Sequence, residues 1–248
     1  FNPVWNEVIQ AKALVYLFQG DTATGRQAIQ WMEYFLEQVV FPDKLDITRQ
    51  IGETITTAAI VHDWCYVLMT EAEKQLFSRK MKILAVSMEI GYPPVKQGSV
   101  VGHGSEAQVM RDLLAGGIAL YHEDREMYEA AATRIIREFI PVRNYGYLSG
   151  THHQGDSYGP YRFMWDMFAT FIFDRMGYPG LFSREQAAIL YRWLYTRRPD
   201  GQLLRDGDSF QGSQVPQGKY WTFTFPLMMT ASYYKDSYLK HEFLKQYA

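Results

Sequence analysis

The chain has 248 residues, 47% apolar and 16% aromatic, with 25 basic and 27 acidic side chains for a net charge of −2. That length supports one sizeable core, and the near-neutral balance excludes a global basic field that would gather nucleic acid or an anionic membrane surface. The single cysteine, Cys65, excludes an internal disulfide and any multi-cysteine zinc or iron–sulfur site, and no apolar run approaches the ~20 residues needed to span a bilayer.

The opening FNPVWNE has neither Met nor a basic n-region and reads as a processed or truncated start. Residues 5–19 predict a helix stopped by Gly20. A second helix, about 25–40, carries Ile29, Met32, Phe35, Leu36 and Val39 at helical spacing and ends at Phe41-Pro42. Residues 47–69 form a longer third run. Within it His62 reads as a core histidine and Cys65 as a buried thiol. Asp43 and Asp46 precede Arg49 and Gln50 and read as caps, with the cation and the amide free to face a cleft. Thr70-Glu71-Ala72-Glu73 is a capping box opening a fourth helix, which fades at Gly91-Tyr92-Pro93-Pro94.

Helix five is expected over about 105–121, with Ser105 as N-cap, and helix six over about 124–139, ending before Pro141. Residues 141–157, rich in Gly, His and Asn, then read as a long loop, and long loops in compact domains usually carry function. Helix seven follows over about 160–176, and Ser183-Arg184-Glu185-Gln186 reads as a second capping box. RRPDGQLLRDGDSFQGSQVPQGK reads as another extended loop, before closing helices at about 220–233 and 236–246. Period-2 alternation is almost absent, so the class is all-α, built of antiparallel helical hairpins. A bundle, a solenoid and a closed toroid all use such hairpins. The lack of a fixed repeat counts against a solenoid, and polar loops at alternate connections fit a toroid.

Chemistry-bearing residues concentrate between 98 and 163. GSVVGHGSEAQVMRD places His103 and Glu106 three apart at a helix start, and GTHHQGDSYGPYRF places Tyr158 and Arg162 four apart, so each pair can share a face. A histidine, a carboxylate, a phenol and a guanidinium suit an anionic substrate; the alternative is a set of structural polar groups. His152 and His153 are adjacent and point different ways, with no third ligand, so no metal site is expected in this chain. Asp206 and Asp208 form a DGD turn without the remainder of a calcium loop. GxGxxG, Walker, GxSxG and HExxH motifs are absent.

The run GYPPVKQGSVVGHGSEAQVMRDLLAGGIALY, with HHQGDSY…RF, RRPDGQLL, HDWCY at 62–66 and SYYKDSYLKHEFLK at 232–245, resembles the heparinase II-like polysaccharide lyases, which cleave heparin and heparan sulfate. The likeness runs from about residue 10 onward. It implies that residues 1–248 are a single domain, an incomplete α/α toroid from a longer, periplasmic or secreted enzyme. β-sandwich domains would follow, carrying a second catalytic histidine and a structural zinc, so no cofactor is expected here. The implied partner is the anionic polysaccharide, with no nucleic acid and no membrane, and a homodimer is a further expectation. By matching motif, His103 and Glu106 correspond to residues at the uronate carboxylate, Tyr158 to the catalytic tyrosine, and Arg49, Gln50 and Arg162 to substrate-contacting residues. The Gly159-Pro160 pair and the Gly-rich surroundings of His103 depart from the family pattern and bear on sulfation preference.

β-Elimination removes the C5 proton of a uronic acid and expels the 4-linked sugar, so the carboxylate must be neutralised as charge develops. His103 is assigned that task, with Glu106 either orienting it or donating its own proton, and Tyr158 acts as general acid and, for one epimer, as base. Bringing a phenol from its reference pKa of ~10 into the working range takes ~2–3 units, about 3–4 kcal/mol. Two alternatives remain: an inverting glycoside hydrolase pairing Glu106 with Asp156 or Asp208 about 6.5–9.5 Å apart, and a non-catalytic carbohydrate-binding domain.

Overall fold

The structure is a computed structural model that describes residues 2–44, 46–93, 104–204 and 223–245. The described residues are helical with no strand among them, so the fold is all-α. They gather into two compact units, Phe1–Ile135 and Ile136–Ala248.

The first unit is organised around α3 (Ile47–Trp64), which packs against α1 (Val4–Gln19), α4 (Glu71–Ser87) and α6 (Leu114–Ala119). Ile51, Ile55, Ala58 and Ala59 supply its buried apolar stripe. The buried Thr54 and Thr57 satisfy their hydroxyls by donating to the carbonyls of Gln50 and Glu53, both at 2.9 Å. Thr57 also accepts from Gln10 Nε2 of α1 at 2.7 Å. Between them α2 (Thr22–Gln38) starts at Asp21, whose carboxylate accepts from the Thr24 N–H at 3.2 Å. Thr70 and Glu73 form the expected capping box at α4. There Arg26 grips Glu73 through two bonds, 2.6 and 3.0 Å, and holds its carboxyl down at about 2. Cys65 is buried, and burial pushes its thiol up to about 11, so it is a core residue as expected.

The expected helix over 105–121 is three pieces: α5 (Ser105–Ala107), a π-helical turn (Gln108–Leu113) and α6. A turn leads from it to α7 (Glu126–Arg134), whose backbone at Tyr128 lies close against Gly117 of α6.

Residues 140–147 correct the expectation of a loop. A second π-helical turn (Ile135–Phe139) leads into α8 (Ile140–Tyr147). Pro141 sits in the first turn of α8, where a missing N–H is tolerated, so it does not end the helix. The second unit then builds on α9 (Gly159–Arg175), which packs on α11 (Phe225–Tyr233), itself paired with α12 (Ser237–Leu244). A 3₁₀ turn (Arg184–Ala188) precedes α10 (Ile189–Tyr195). No Ser183 side-chain bond caps this turn, which corrects the second capping box. Gln186 is drawn into the core instead, accepting from Thr170 Oγ1 at 3.1 Å and Tyr234 OH at 2.7 Å. Asp46 is not a side-chain cap either: its backbone is left-handed (φ 67°), and the carboxylate pairs with Arg49 at 3.5 Å.

A Cβ on Gly117 would lie 2.5 Å from the Tyr128 backbone, whereas one on Gly146 in α8 meets nothing within 4 Å. Gly146→Ala is therefore expected to stabilise the protein by about 0.5–1 kcal/mol through helix propensity. Gly117→Ala is expected to cost about 1–3 kcal/mol despite the same propensity gain, because backbone cannot step aside. Urea unfolding of both variants checks the opposite signs.

Candidate functional site

In the first unit, two side chains bind successive backbone N–H groups. Thr48 Oγ1 accepts from Glu89 N and Gln108 Oε1 from Ile90 N, both at 3.1 Å. These bonds bring the first turn of α3, which carries Arg49 and Gln50, beside the segment that carries Glu106. Arg49 is about half exposed and paired with Asp46; Gln50 is half-buried. Glu106 is buried in the first turn of the helix that starts at Ser105. Gly104 just before it has φ +75°, a conformation that L side chains rarely adopt, and its bare Cα leaves room for the Gln108 amide. His103 lies outside the described residues, as do Asp206 and Asp208.

Two further polar groups are buried in the first unit. Asp112 on the π-helical turn is fully buried, and burial raises its carboxyl against the pull of Arg111. Thr56 donates to it at 3.0 Å, and it lies against the bare Cα of Gly52. His62 is buried against Tyr66 and Phe77, and burial pushes its imidazole down. It is a core histidine, as expected.

In the second unit, Tyr158 stands immediately before the first residue of α9. Its carbonyl accepts the Arg162 N–H at 3.1 Å. One turn on, the buried Arg162 guanidinium lies 4.2 Å from the centre of the Tyr158 ring. Arg162 Nε donates to Tyr161 OH at 3.0 Å, and Nη1 donates to Gln154 Oε1. The predicted Tyr158–Arg162 pair is thus assembled, with the guanidinium on the face of the phenol and two of its donors taken within the protein.

Behind this pair is a polar core that sequence reasoning missed. Asp166, 1% exposed, takes Arg143 Nε at 3.2 Å on one oxygen and Tyr147 OH at 2.5 Å on the other. His152 Nε2 sits 3.7 Å from the second oxygen. Burial alone would raise the Asp166 carboxyl, but the Arg143 charge, helped by His152 and Tyr147, holds it well below the usual range. Burial and the Asp166 charge together push the Tyr147 phenol well above its ordinary value. Gln186 completes the shell, donating to Tyr147 OH at 3.3 Å. A sequence signal existed: Arg162, Asp166 and Thr170 recur every four residues along α9, a polar stripe on a buried face.

His152 links this core to the tyrosine. Its Nδ1 accepts the Gln154 N–H at 3.3 Å, which leaves the ring proton on Nε2, facing Asp166. It packs on Phe163 and Trp193, and Gly159 is what lets it: a Cβ there would lie 2.7 Å from the Trp193 ring and 3.2 Å from His152 Nδ1. Both His152 nitrogens are therefore occupied. His153, 4.2 Å away ring to ring, is exposed. Asp156 is buried, with Arg192 of α10 at 3.5 Å. Among the described residues no three metal-ligating side chains converge, and no helix is long and apolar enough to cross a membrane. The chain matches no family model and no curated protein.

Burial pushes the His152 imidazole down to about 4, against the pull of Asp166. At this position the unfolded chain therefore binds more protons than the folded one between about pH 6.5 and 4. The stability His152 contributes is fully present above that window and lost as pH falls through it, a loss of about 3 kcal/mol. Unfolding followed across this range should show the slope. His152→Gln, which keeps an acceptor but takes up no proton, should flatten it.

Proposed function

We propose that this chain is the helical, tyrosine-bearing part of a polysaccharide lyase that cleaves heparin- or heparan sulfate-type glycosaminoglycan by β-elimination. The observation that carries the proposal is the Arg162 guanidinium stacked 4.2 Å above the ring of Tyr158 at the start of a 17-residue helix. Deprotonating a phenol adds negative charge to its ring, so a cation on that face favours the phenolate over the phenol. The positive end of the helix that begins at Gly159 acts in the same direction.

In this scheme Tyr158 takes the C5 proton of one uronic epimer and returns a proton to the leaving 4-oxygen. His103 neutralises the substrate carboxylate, and Glu106 on the adjoining helical turn orients it or shares its proton. Arg49, Gln50 and the remaining donor edge of Arg162 meet carboxylate or sulfate. The helical hairpins then belong to an incomplete α/α toroid, in a periplasmic or secreted enzyme that works as a homodimer. The near-neutral net charge agrees with a basic cleft in an otherwise balanced surface.

Incubated with heparan sulfate, the full-length enzyme of which this chain is the helical part should generate unsaturated product, read by ultraviolet absorbance. Tyr158→Phe is expected to lower kcat by about 10²–10⁴-fold, with KM within about threefold. Undiminished turnover in that variant would remove the tyrosine from the chemistry, and cleavage without a double bond would assign hydrolysis instead.

A further inference from the structure

We propose that Gln154 is a positioning residue: it is the joint through which the buried Asp166–His152 pair keeps Arg162 on the face of Tyr158. Three observations carry this. Gln154 is committed at both ends, its backbone N–H to His152 Nδ1 at 3.3 Å and its Oε1 to Arg162 Nη1. His152 cannot shift, because Phe163, Trp193 and Gly159 enclose its ring and Asp166 faces its Nε2. Arg162 needs such an anchor, since an arginine side chain has several rotatable bonds and its stack on Tyr158 holds one geometry among many. Tyr161 OH holds Nε, and Gln154 holds the far end of the guanidinium. A chain of contacts thus runs from a carboxylate that is 1% exposed to a half-buried phenol.

Among the described residues, several groups lie near the phenol. Arg162 and Tyr161 face Tyr158 from α9, with ring centres of the two tyrosines 6.2 Å apart. Asp156 precedes it on the turn and has Arg192 of α10 at 3.5 Å, so those two charges offset each other. His153 is exposed, and Phe223 adds only an apolar ring against Tyr161 at 5.3 Å. Arg162 is the cation on the face of the phenol, and Gln154 reaches the phenol through its bond to that guanidinium. The inference rests on the lyase proposal for its kinetic consequence alone; the linkage itself is independent of what the protein cleaves.

The test is a double-mutant cycle on the whole protein, labelled with ¹³Cζ-tyrosine, with the Tyr158 resonance assigned by its loss in Tyr158→Phe. Gln154→Met keeps the backbone N–H and the side-chain length but removes the acceptor, and should raise the titration midpoint of Tyr158 by about one pH unit. Arg162→Met should raise it at least as far, and adding Gln154→Met to Arg162→Met should change it no further. Gln154→Ala, which also lacks the acceptor, is the second substitution should the methionine not be accommodated. A wild-type midpoint in Gln154→Met or Gln154→Ala, or shifts that add in the double variant, overturns the role of Gln154. In turnover, Gln154→Met should lower kcat about tenfold at unchanged KM and move the pH profile with the midpoint. A full-length wild-type enzyme that forms no unsaturated product would sink the lyase proposal, while the titration cycle would still decide on Gln154.

Discussion

A carboxylate as deeply enclosed as Asp166 would be protonated or expelled unless its charge were met from several sides. Arg143 meets one oxygen, Tyr147 donates to the other, and the Nε2–H face of His152 closes the remaining approach. Removing one partner from such a set strands a charge in a low-dielectric interior, which costs roughly 3–5 kcal/mol in comparable buried pairs. The demands of this one group therefore constrain three separate segments of the second unit: α8 through Arg143 and Tyr147, the turn that follows through His152, and α9 through Asp166 itself. The segment between Tyr147 and Gly159 has little regular structure of its own, and the carboxylate gives it an anchor.

What that anchor holds in place is a phenol at a helix start with a guanidinium on its face. The deep groups and the outer pair divide the work. Asp166, Tyr147 and Arg143 are each 2% exposed or less, where no substrate can reach them. Tyr158 is half-buried, accessible enough to meet a ligand and covered enough for Arg162 to act through a low dielectric. Gly159 permits the arrangement by bringing α9 close against His152 and Trp193. The Gly159-Pro160 pair thus has a packing reason. Proline in the first helical turn costs no hydrogen bond, and glycine before it leaves room for two rings.

The first unit solves a related problem with neutral groups. Thr48 and Gln108 each satisfy one of two consecutive N–H groups beyond the end of α4 and so tie the start of α3 to the segment carrying Glu106. Asp112 packs against α3 at Gly52, where a larger residue would overlap it. Both arrangements centre on a π-helical turn, whose extra residue per turn rotates the side chains after it away from ordinary helical spacing.

By itself, the amino-acid sequence determined the helical class, nearly every helix, the α4 capping box and the burial of Cys65 and His62, because these follow from periodicity and from local hydrogen bonding. It also identified Tyr158 and Arg162 as a pair, since four residues along a helix is one turn. Local chemistry could not reveal that Pro141 begins a helix, that Asp46 turns toward Arg49, or that Gln186 leaves its capping position for Thr170 and Tyr234. The π-helical backbone before Pro141, the left-handed backbone of Asp46 itself and the distant partners of Gln186 outweighed the local preference. The Asp166 core was least legible of all. Arg143, Tyr147, His152 and Gln186 share no spacing that marks them as neighbours, and only packing brings them around one charge. Tertiary structure decided their roles because a buried carboxylate takes its partners from wherever the chain can supply donors.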